Sequence, residues 1–297
     1  MKIITNLLRL ITKSSSPATA AACKFCLTAV WSLLLANAHA AEPAALVTLL
    51  EGSATVIVGP RAYAAASGAR LGAGTLIETD ATSGLMRVEW PDGTLLDLGP
   101  ATKVMLQPGA IAGRAPLFYL LQGWAKQSQT KASTGQVGAA FDMGPFAGVL
   151  VSQVDENQSV LFAEVGGGPF MARRQGASAT LKVGQTAVLV GAAAPQFSAR
   201  PPAAWIAQMP KAFRETLPAM TSKFKGPLPT LRQRAVLTYT GLQPWLMAEP
   251  ALRRDFPRRF AELLEDRAFR DAVTRQLVQH PEWDALLKPA RPATIAR

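Results

Sequence analysis

The stretch from residue 71 to residue 106, LGAGTLIETDATSGLMRVEWPDGTLLDLGPATKVML, decides the fold class of this chain. It contains three short extended runs separated by two turn sequences, Pro91-Asp92-Gly93 and Gly99-Pro100. Proline presets φ at the first corner of a turn and glycine accepts positive φ, so the first turn predicts a β-hairpin. Along residues 85–90, apolar and charged side chains alternate, which indicates a strand with one buried face. This region is therefore predicted to be a structural scaffold that presents a surface. It contains no obvious nucleophile or metal ligand.

The same pattern of short extended runs and turn residues extends from residue 45 to residue 190. Short apolar runs recur there at intervals of roughly ten residues, and glycine lies between nearly every pair, which is typical of a mainly β fold. We predict a sandwich, a roll or a short β-solenoid for residues 45–190, with residues 166–168 forming a turn. A linker at residues 191–202 then leads into a small all-α domain at residues 203–297.

Helical periodicity supports the second part of this division. Apolar residues recur there at i+3 and i+4 steps, and a helix is predicted at residues 230–240. Proline suits the first turn of a helix and breaks its interior, so further helices are predicted to begin near Pro244, Pro250 and Pro257.

The first 40 residues are predicted to be a signal peptide. Four basic residues precede an apolar run at residues 25–36, and the small residues Ala38 and Ala40 match the pattern that signal peptidase requires. We expect cleavage after Ala40 and export to the periplasm. The alternative is an uncleaved membrane anchor, but the apolar run is shorter than the roughly 20 residues that span a bilayer.

Composition narrows the chemistry of the exported chain. Cys23 and Cys26 lie in the predicted signal peptide, and His280 is the only histidine beyond it. Zinc sites need several cysteine or histidine ligands, and serine or cysteine nucleophiles usually need a histidine base. We therefore expect no metal, no cofactor and no catalytic triad.

Charge is distributed unevenly along the chain. Residues 41–195 carry 10 basic and 11 acidic side chains, whereas residues 196–297 carry 17 basic and 9 acidic ones, a net charge of +8. The basic character of the exported chain therefore belongs to the predicted helical domain.

The turn and strand residues of the opening region form a pattern that resembles the FecR domain. Its signature is a G-D-x-I-x-T…S-x-A-x-L-x-x-x-D-G-S-x-L-x-L run, and a closing L-x-x-G-Q strand follows. The resemblance covers roughly residues 46–190 and is carried by Gly52–Val56, Leu71–Gly74, Ile77–Thr79, Ser83–Leu85, Asp92–Leu95, Leu98, Pro100, Thr102, Val104 and Leu181–Gln185.

The resemblance implies a periplasmic β-rich sensor domain. In the founding members of the family, such a domain relays the state of an outer-membrane siderophore receptor to a cytoplasmic sigma factor. This chain departs from the pattern at Thr75, where aspartate is common, and at residues 137–141, where Gly-Thr-x-Phe is common. It also shows no segment of the cytoplasmic anti-sigma type. We therefore carry over the fold and the compartment but not the sigma-factor signalling.

Several residues of the β region could carry chemistry, and each also has a structural explanation. Asp92 and Gly93 are what the hairpin turn requires. Five carboxylates could converge for acid–base work or calcium binding, but nothing in the sequence fixes their mutual distances, and solvated strand ends are the favoured explanation: Glu78, Asp80, Glu89, Asp92 and Asp97. His280 precedes a proline at a predicted helix start, where a capping role is expected.

The basic helices offer a second candidate surface. An anionic partner such as lipid headgroups, wall polymers or an acidic protein face could contact Arg253, Arg254, Arg258, Arg259 and Arg270. The alternative is an ordinary solvated face, partly paired with neighbouring carboxylates at helical spacing. The predicted compartment argues against nucleic acid as a partner.

These observations predict a non-catalytic envelope protein whose β domain is an interaction, sensing or scaffold module with a protein partner. Two alternatives remain open from the sequence. One is a membrane-tethered regulator of the FecR signalling type. The other is a carboxylate-based hydrolase of envelope glycan, which would need two carboxylates converging in a cleft.

Overall fold

Sixteen β-strands make up the first two thirds of the described chain. A computed structural model describes residues 45–111, 113, 115–173, 176–234 and 236–287, so the predicted signal peptide lies outside the described residues. The strands are β1 Ala45–Glu51, β2 Ala54–Val58, β3 Arg61–Ala64, β4 Arg70–Leu71, β5 Leu76–Thr79, β6 Leu85–Glu89, β7 Leu95–Leu98, β8 Lys103–Leu106, β9 Phe118–Gln129, β10 Gln136–Gly138, β11 Phe141–Met143, β12 Ala147–Val154, β13 Gln158–Ala172, β14 Ser178–Leu181, β15 Thr186–Val190 and β16 Gln196–Ser198.

The strands form two sheets that share their two longest members. Sheet A has the order β4-β1-β6-β7-β9-β12-β13-β15-β16, and sheet B has the order β3-β2-β5-β8-β9-β10-β11-β13-β14. The first half of β9 pairs in sheet B and its second half pairs in sheet A, while β13 runs from sheet A into sheet B. The neighbouring strands are antiparallel apart from the β9–β10 pair. The mainly β fold class is therefore confirmed. Because β12 joins β9 to β13 in sheet A, and β10 and β11 join them in sheet B, these five strands close into a small barrel.

The hairpin predicted in the opening stretch is present. β6 and β7 pair across Pro91-Asp92-Gly93, Gly93 has φ +85°, and Asp92 Oδ1 accepts a hydrogen bond of 2.9 Å from the Thr94 N–H. The Asp-Gly pair therefore has the structural role expected of it.

The prediction of a turn at residues 166–168 is wrong, because these three glycines lie inside β13. They lie where β13 passes from β12 to β14. The backbone of Ala147 leaves no room for a side chain at Gly166, and that of Leu181 leaves none at Gly167. Glycine is needed here because neighbouring backbones approach β13 closely, while the strand itself continues without a turn.

The hydrophobic core between the sheets is built from the inward-facing side chains of both. Sheet A contributes Val47, Val88 and Leu96, and sheet B contributes Val56, Ile77 and Phe118, all fully buried. The alternation of strand side chains leaves a second, outward face on each sheet, and the rest of the chain covers both of these faces.

Short helices follow the β region: α1 Ala203–Gln208, α2 Tyr239–Leu246, α3 Pro250–Arg253, α4 Phe256–Arg259, α5 Arg267–Gln276 and α6 Asp284–Leu287, with 3₁₀ turns at Lys211–Arg214, Thr221–Lys223, Ala261–Glu265 and Pro281–Trp283. Pro250 and Pro257 lie in the first turns of α3 and α4, as predicted. Pro244 lies inside α2, which instead begins after the N-cap Thr238, so its prediction as a helix start is wrong.

The helix predicted at residues 230–240 is also wrong over most of its length. The chain there runs alongside edge strand β3, with hydrogen bonds from the Ala64 N–H to the Arg232 carbonyl and from the Arg234 N–H to the Ala62 carbonyl. This pairing satisfies an otherwise open sheet edge, which outweighs the weak helical periodicity of the segment.

The two outward sheet faces are covered in different ways. The outer face of sheet B is apolar, with Ile57, Leu76 and Met105 packed beneath α2–α5 in a large shared cluster. The outer face of sheet A has a smaller apolar cluster, in which Trp124 and Val160 meet Trp205 from α1. The β and helical parts thus share buried cores, and the described residues form one compact unit. The division at residues 190 and 202 stays a prediction.

Candidate interaction surface

A row of charged side chains crosses the outer face of sheet A. Strand pairing places Arg87 of β6 opposite Asp97 of β7, and Asp97 opposite Lys126 of β9. Arg87 Nε and Nη2 donate to the two Asp97 oxygens at 2.6 and 2.7 Å, a bidentate pair in which both side chains are almost fully buried. Lys126 lies beside them and is also buried.

These charges are buried because a later part of the chain covers them. We call residues 205–221 the strap, since they run across the outer face of sheet A from Trp205 to Thr221. Lys126 Nζ donates to the Phe213 carbonyl at 2.5 Å and lies 3.1 Å from Glu164 Oε2. The prediction that strand β6 has only one buried face is therefore wrong, because all of Leu85–Glu89 is buried.

Arg87 binds the main chain of the strap as well as Asp97. Its Nη1 donates to the carbonyls of Leu217 and Pro218 at 2.9 and 3.2 Å. Burial alone would lower the pKa of Arg87, but the hydrogen bond and charge of Asp97, together with the charge of Glu89, outweigh it and raise that pKa. Arg87 is therefore a fixed cation under the strap.

Glu89 binds the next main-chain groups of the strap. Its carboxylate is 1% exposed and accepts the Met220 and Thr221 N–H groups at 2.9–3.0 Å. It also accepts the hydroxyls of Thr221 and Thr48 at 2.5 and 2.7 Å. Burial alone would raise the pKa of Glu89, but these hydrogen bonds outweigh burial and lower it. Arg87 and Glu89 together thus hold residues 217–221 by carbonyl and amide groups.

The other candidate carboxylates have separate structural partners. Glu78 pairs with Lys103 at 2.8 Å and accepts the Trp245 indole N–H at 2.7 Å, while Asp80 accepts the Ser53 hydroxyl. None of the five predicted carboxylates lines any of the cavities described below. Each of these carboxylates is thus engaged by a structural partner outside those cavities.

The structure separates the five arginines predicted as an anion-binding surface. Arg254, Arg258 and Arg270 are exposed, whereas Arg253 and Arg259 are turned inward. Arg259 Nη1 and Nη2 donate to the carbonyls of Gly74 and Ile57 at 2.6 and 2.7 Å, and burial lowers its pKa to about 10. The available surface therefore consists of the three exposed members of the set.

Arg253 forms a buried cluster with His280 and Glu282. Its Nε lies 2.9 Å from Glu282 Oε1, and its Nη1 contacts the His280 ring. Burial and the charge of Arg253 lower the pKa of His280, against the opposing effect of Glu282. His280 is the N-cap residue of the turn at Pro281–Trp283, as expected, but its side chain makes no cap hydrogen bond and contacts Arg253 instead.

A cavity of about 510 Å³ lies where α4 meets the loops at one end of sheet B. Arg258 and Asp255 line it on the helical side, and Gly74 and Gln107 line it on the sheet side. Three smaller cavities lie around Pro116, around Phe224 and around Arg270. The Arg258 side chain is 86% exposed and 3.7 Å from Asp255, so its charge is largely solvated.

Two further features bear on function. In the described ranges, no three His, Cys, Asp or Glu side chains come together in a way that could hold a metal ion. Among the helices that the structure describes, none has both the length and the apolar character needed to cross a membrane.

Comparison with known proteins gives a structural likeness. No model of a known protein family matches the chain, and no curated protein matches it. The chain is similar to the crystal structure, at 2.50 Å resolution, of a "putative anti-sigma factor" from Parabacteroides distasonis ATCC 8503. The two are 11% identical with a TM-score of 0.36, over 42% of this chain and 59% of that chain.

Sequence reasoning did not identify the charged face beneath the strap. The signal available was Arg87 and Glu89 alternating with apolar residues, which is equally typical of a solvated strand face. Their partners lie about 130 positions away, at Leu217–Thr221. Main-chain partners carry no side-chain signature, so this contact could not be read from residue types.

Proposed function

We propose that this chain is a non-catalytic interaction module of the bacterial envelope, with the β region as its protein-binding, sensing or scaffold part. The observation that carries the proposal is the use of the buried charges of sheet A. Arg87, Glu89 and Lys126 bind peptide carbonyl and amide groups rather than lining a cavity. A surface of this kind recognises polypeptide.

The compartment and the protein partner are part of this proposal. The predicted signal peptide and the resemblance of residues 46–190 to the FecR domain support export to the periplasm. N-terminal sequencing of the protein from the periplasmic fraction of a Gram-negative host should give a chain that begins at Ala41. A chain beginning at Met1 and recovered in the membrane fraction would instead favour the tethered regulator.

The exposed arginines are proposed as a secondary contact with an anionic envelope component. Arg254, Arg258 and Arg270 carry solvated charges in the half of the chain that has the net charge of +8. Sedimentation with phosphatidylglycerol vesicles tests this contact. The variant in which all three are glutamine should lose most of the binding, and binding that is unchanged would refute it.

A photo-crosslinking experiment tests the module itself. A photoreactive residue at Arg254 or Arg270 of the full chain, expressed in the envelope, should give a discrete adduct with an envelope protein. The same residue at the exposed Gln276 is the control for random collision. Hydrolysis of envelope glycan by the purified chain, abolished by one substitution such as Asp80→Asn, would overturn the non-catalytic proposal.

A further inference from the structure

The strap and the helices cover the two sheet faces with different chemistry. Under the helices, the sheet B face is apolar and the contact is a continuous hydrophobic core. Under the strap, the sheet A face has a charged row, and much of the contact consists of hydrogen bonds between charged side chains and main chain. This contrast is the observation from which the inference starts.

Charged residues are a poor choice for a face that is always covered. Apolar residues of similar volume usually stabilise a permanently buried contact as well as an ion pair does, or better. A charged face has the advantage of staying soluble when it is uncovered. The sheet A face therefore has the composition of a surface that is exposed for part of the time.

The strap itself has the features of a segment that can open locally. Its regular structure is limited to α1, with six residues, and the 3₁₀ turn at Lys211–Arg214, which are too short to be stable alone. An exposed stretch precedes it at residues 191–204, and Pro218 lies within it. Its anchors are the buried side chains of Trp205, Met209 and Phe213, together with the hydrogen bonds to residues 213–221. The ring centroids of Trp205 and Trp124 are 5.2 Å apart.

We propose that the outer face of sheet A is a peptide-binding site that the strap occupies in cis and that a partner's extended segment occupies when the strap opens. The proposal rests on the proposed function and identifies its binding surface. The occupant follows from what the face now holds. It is a segment with an aromatic anchor, as Phe213 is here, followed by exposed carbonyl and amide groups for Arg87 and Glu89.

Hydrogen exchange of the full chain tests the opening step without any variant. Exchange through local opening should make peptides spanning residues 213–221 exchange at least about tenfold faster than peptides from β9 or from α2. Glu89→Gln should further accelerate the exchange of the strap amides, whereas the matched control Glu78→Gln, on sheet B, should leave it unchanged. Strap amides that exchange at the rate of β9 would overturn the inference.

Binding in trans tests the occupant. The probe is a fluorescein-labelled synthetic peptide of residues 211–224, measured by anisotropy against the full chain. Phe213→Ala weakens the cis occupant and should raise the affinity of this peptide at least about tenfold over wild type, because the cis segment competes at high effective concentration. Adding Glu89→Gln to that variant should remove the gain.

If the peptide binds the wild type and the Phe213→Ala variant with equal affinity, the proposed occupant is wrong. It is also wrong if the gain in affinity persists when Glu89→Gln is added. Met209→Ala, which removes another strap anchor, gives the same test should Phe213→Ala fail to fold. These failures differ from failure of the proposed function. If the strap never opens, this inference fails, but crosslinking at Arg254 and Arg270 is unaffected. If the chain hydrolyses glycan, the proposed function fails, but the exchange rates of the strap are unaffected.

Discussion

Gly123 decides how β9 can belong to two sheets. It has φ +91°, and an ideal Cβ at this position would lie 2.5 Å from the Thr102 Cα. The Thr102 hydroxyl accepts a hydrogen bond of 2.9 Å from the Trp124 N–H, so the bend and its neighbour are fixed together. Both the positive φ and the close approach therefore demand glycine.

Gly123→Ala should lower the free energy of unfolding by roughly 2–5 kcal/mol, because backbone strain and overpacking add. Gly93→Ala is the matched control, since Gly93 has φ +85° but no heavy atom within 4 Å of its ideal Cβ. That control should cost only roughly 1–2 kcal/mol, from strain alone. Urea unfolding measures both, and equal losses would show that Thr102 moves aside without cost.

Glu89 should make stability depend on pH. Its pKa in the folded chain lies below the ordinary value of 4.5, so its contribution is present above about pH 4.5 and is lost as pH falls through the lowered pKa. Near pH 7, Glu89→Gln should cost roughly 2–4 kcal/mol, since the strap amides lose a charged acceptor. The difference from wild type in urea unfolding should shrink below pH 4.5. A difference that is constant down to pH 3 would contradict this assignment.

Arg259 joins α4 to strand β2 and to the loop before β5. Its guanidinium donates to two separate carbonyls and lies 5.2 Å from the Phe260 ring centroid. An ammonium group is a point charge and cannot reproduce this planar fork. The contact therefore depends on arginine and not only on positive charge.

Arg259→Lys should lower the free energy of unfolding by roughly 2–3 kcal/mol, because at least one buried carbonyl loses its donor. Arg258→Lys, one residue earlier and largely solvated, should stay within about 0.5 kcal/mol of wild type. Thermal or urea unfolding of the two variants gives the comparison. Similar losses in both would mean that α4 is held by its apolar face alone.

The elements also show what the sequence could predict. β2 and the hairpin of β6 and β7 were predictable, because turn residues and apolar alternation are local signals. β13 appeared as two strands because the glycines at positions 166–168 also suit a turn. The helix predicted at residues 230–240 is wrong at residues 230–234, because they cover the open edge of β3. That edge exists only in the tertiary structure, so no local pattern indicates it. The contact of the strap with Arg87 and Glu89 could not be predicted from local sequence patterns for the same reason.

For the whole molecule, the shared cores predict how the chain unfolds. Trp245 of α2 is fully buried in the cluster that contains Ile57 and Leu76 of sheet B, and its indole donates to Glu78. Removing α2–α5 would expose this entire sheet face to water, at a large hydrophobic cost. We therefore expect the helices over sheet B to unfold together with the β region.

Urea unfolding of the full chain, followed by far-UV circular dichroism and by tryptophan fluorescence, should give coincident transitions with one midpoint. Leu252→Ala, at a buried position of α3, should shift both curves equally, because a cavity in a shared core destabilises both parts. The proposed strap opening should be detected by hydrogen exchange at urea concentrations below this transition. Two separate transitions, with only one shifted by Leu252→Ala, would instead establish residues 203–297 as an independent domain.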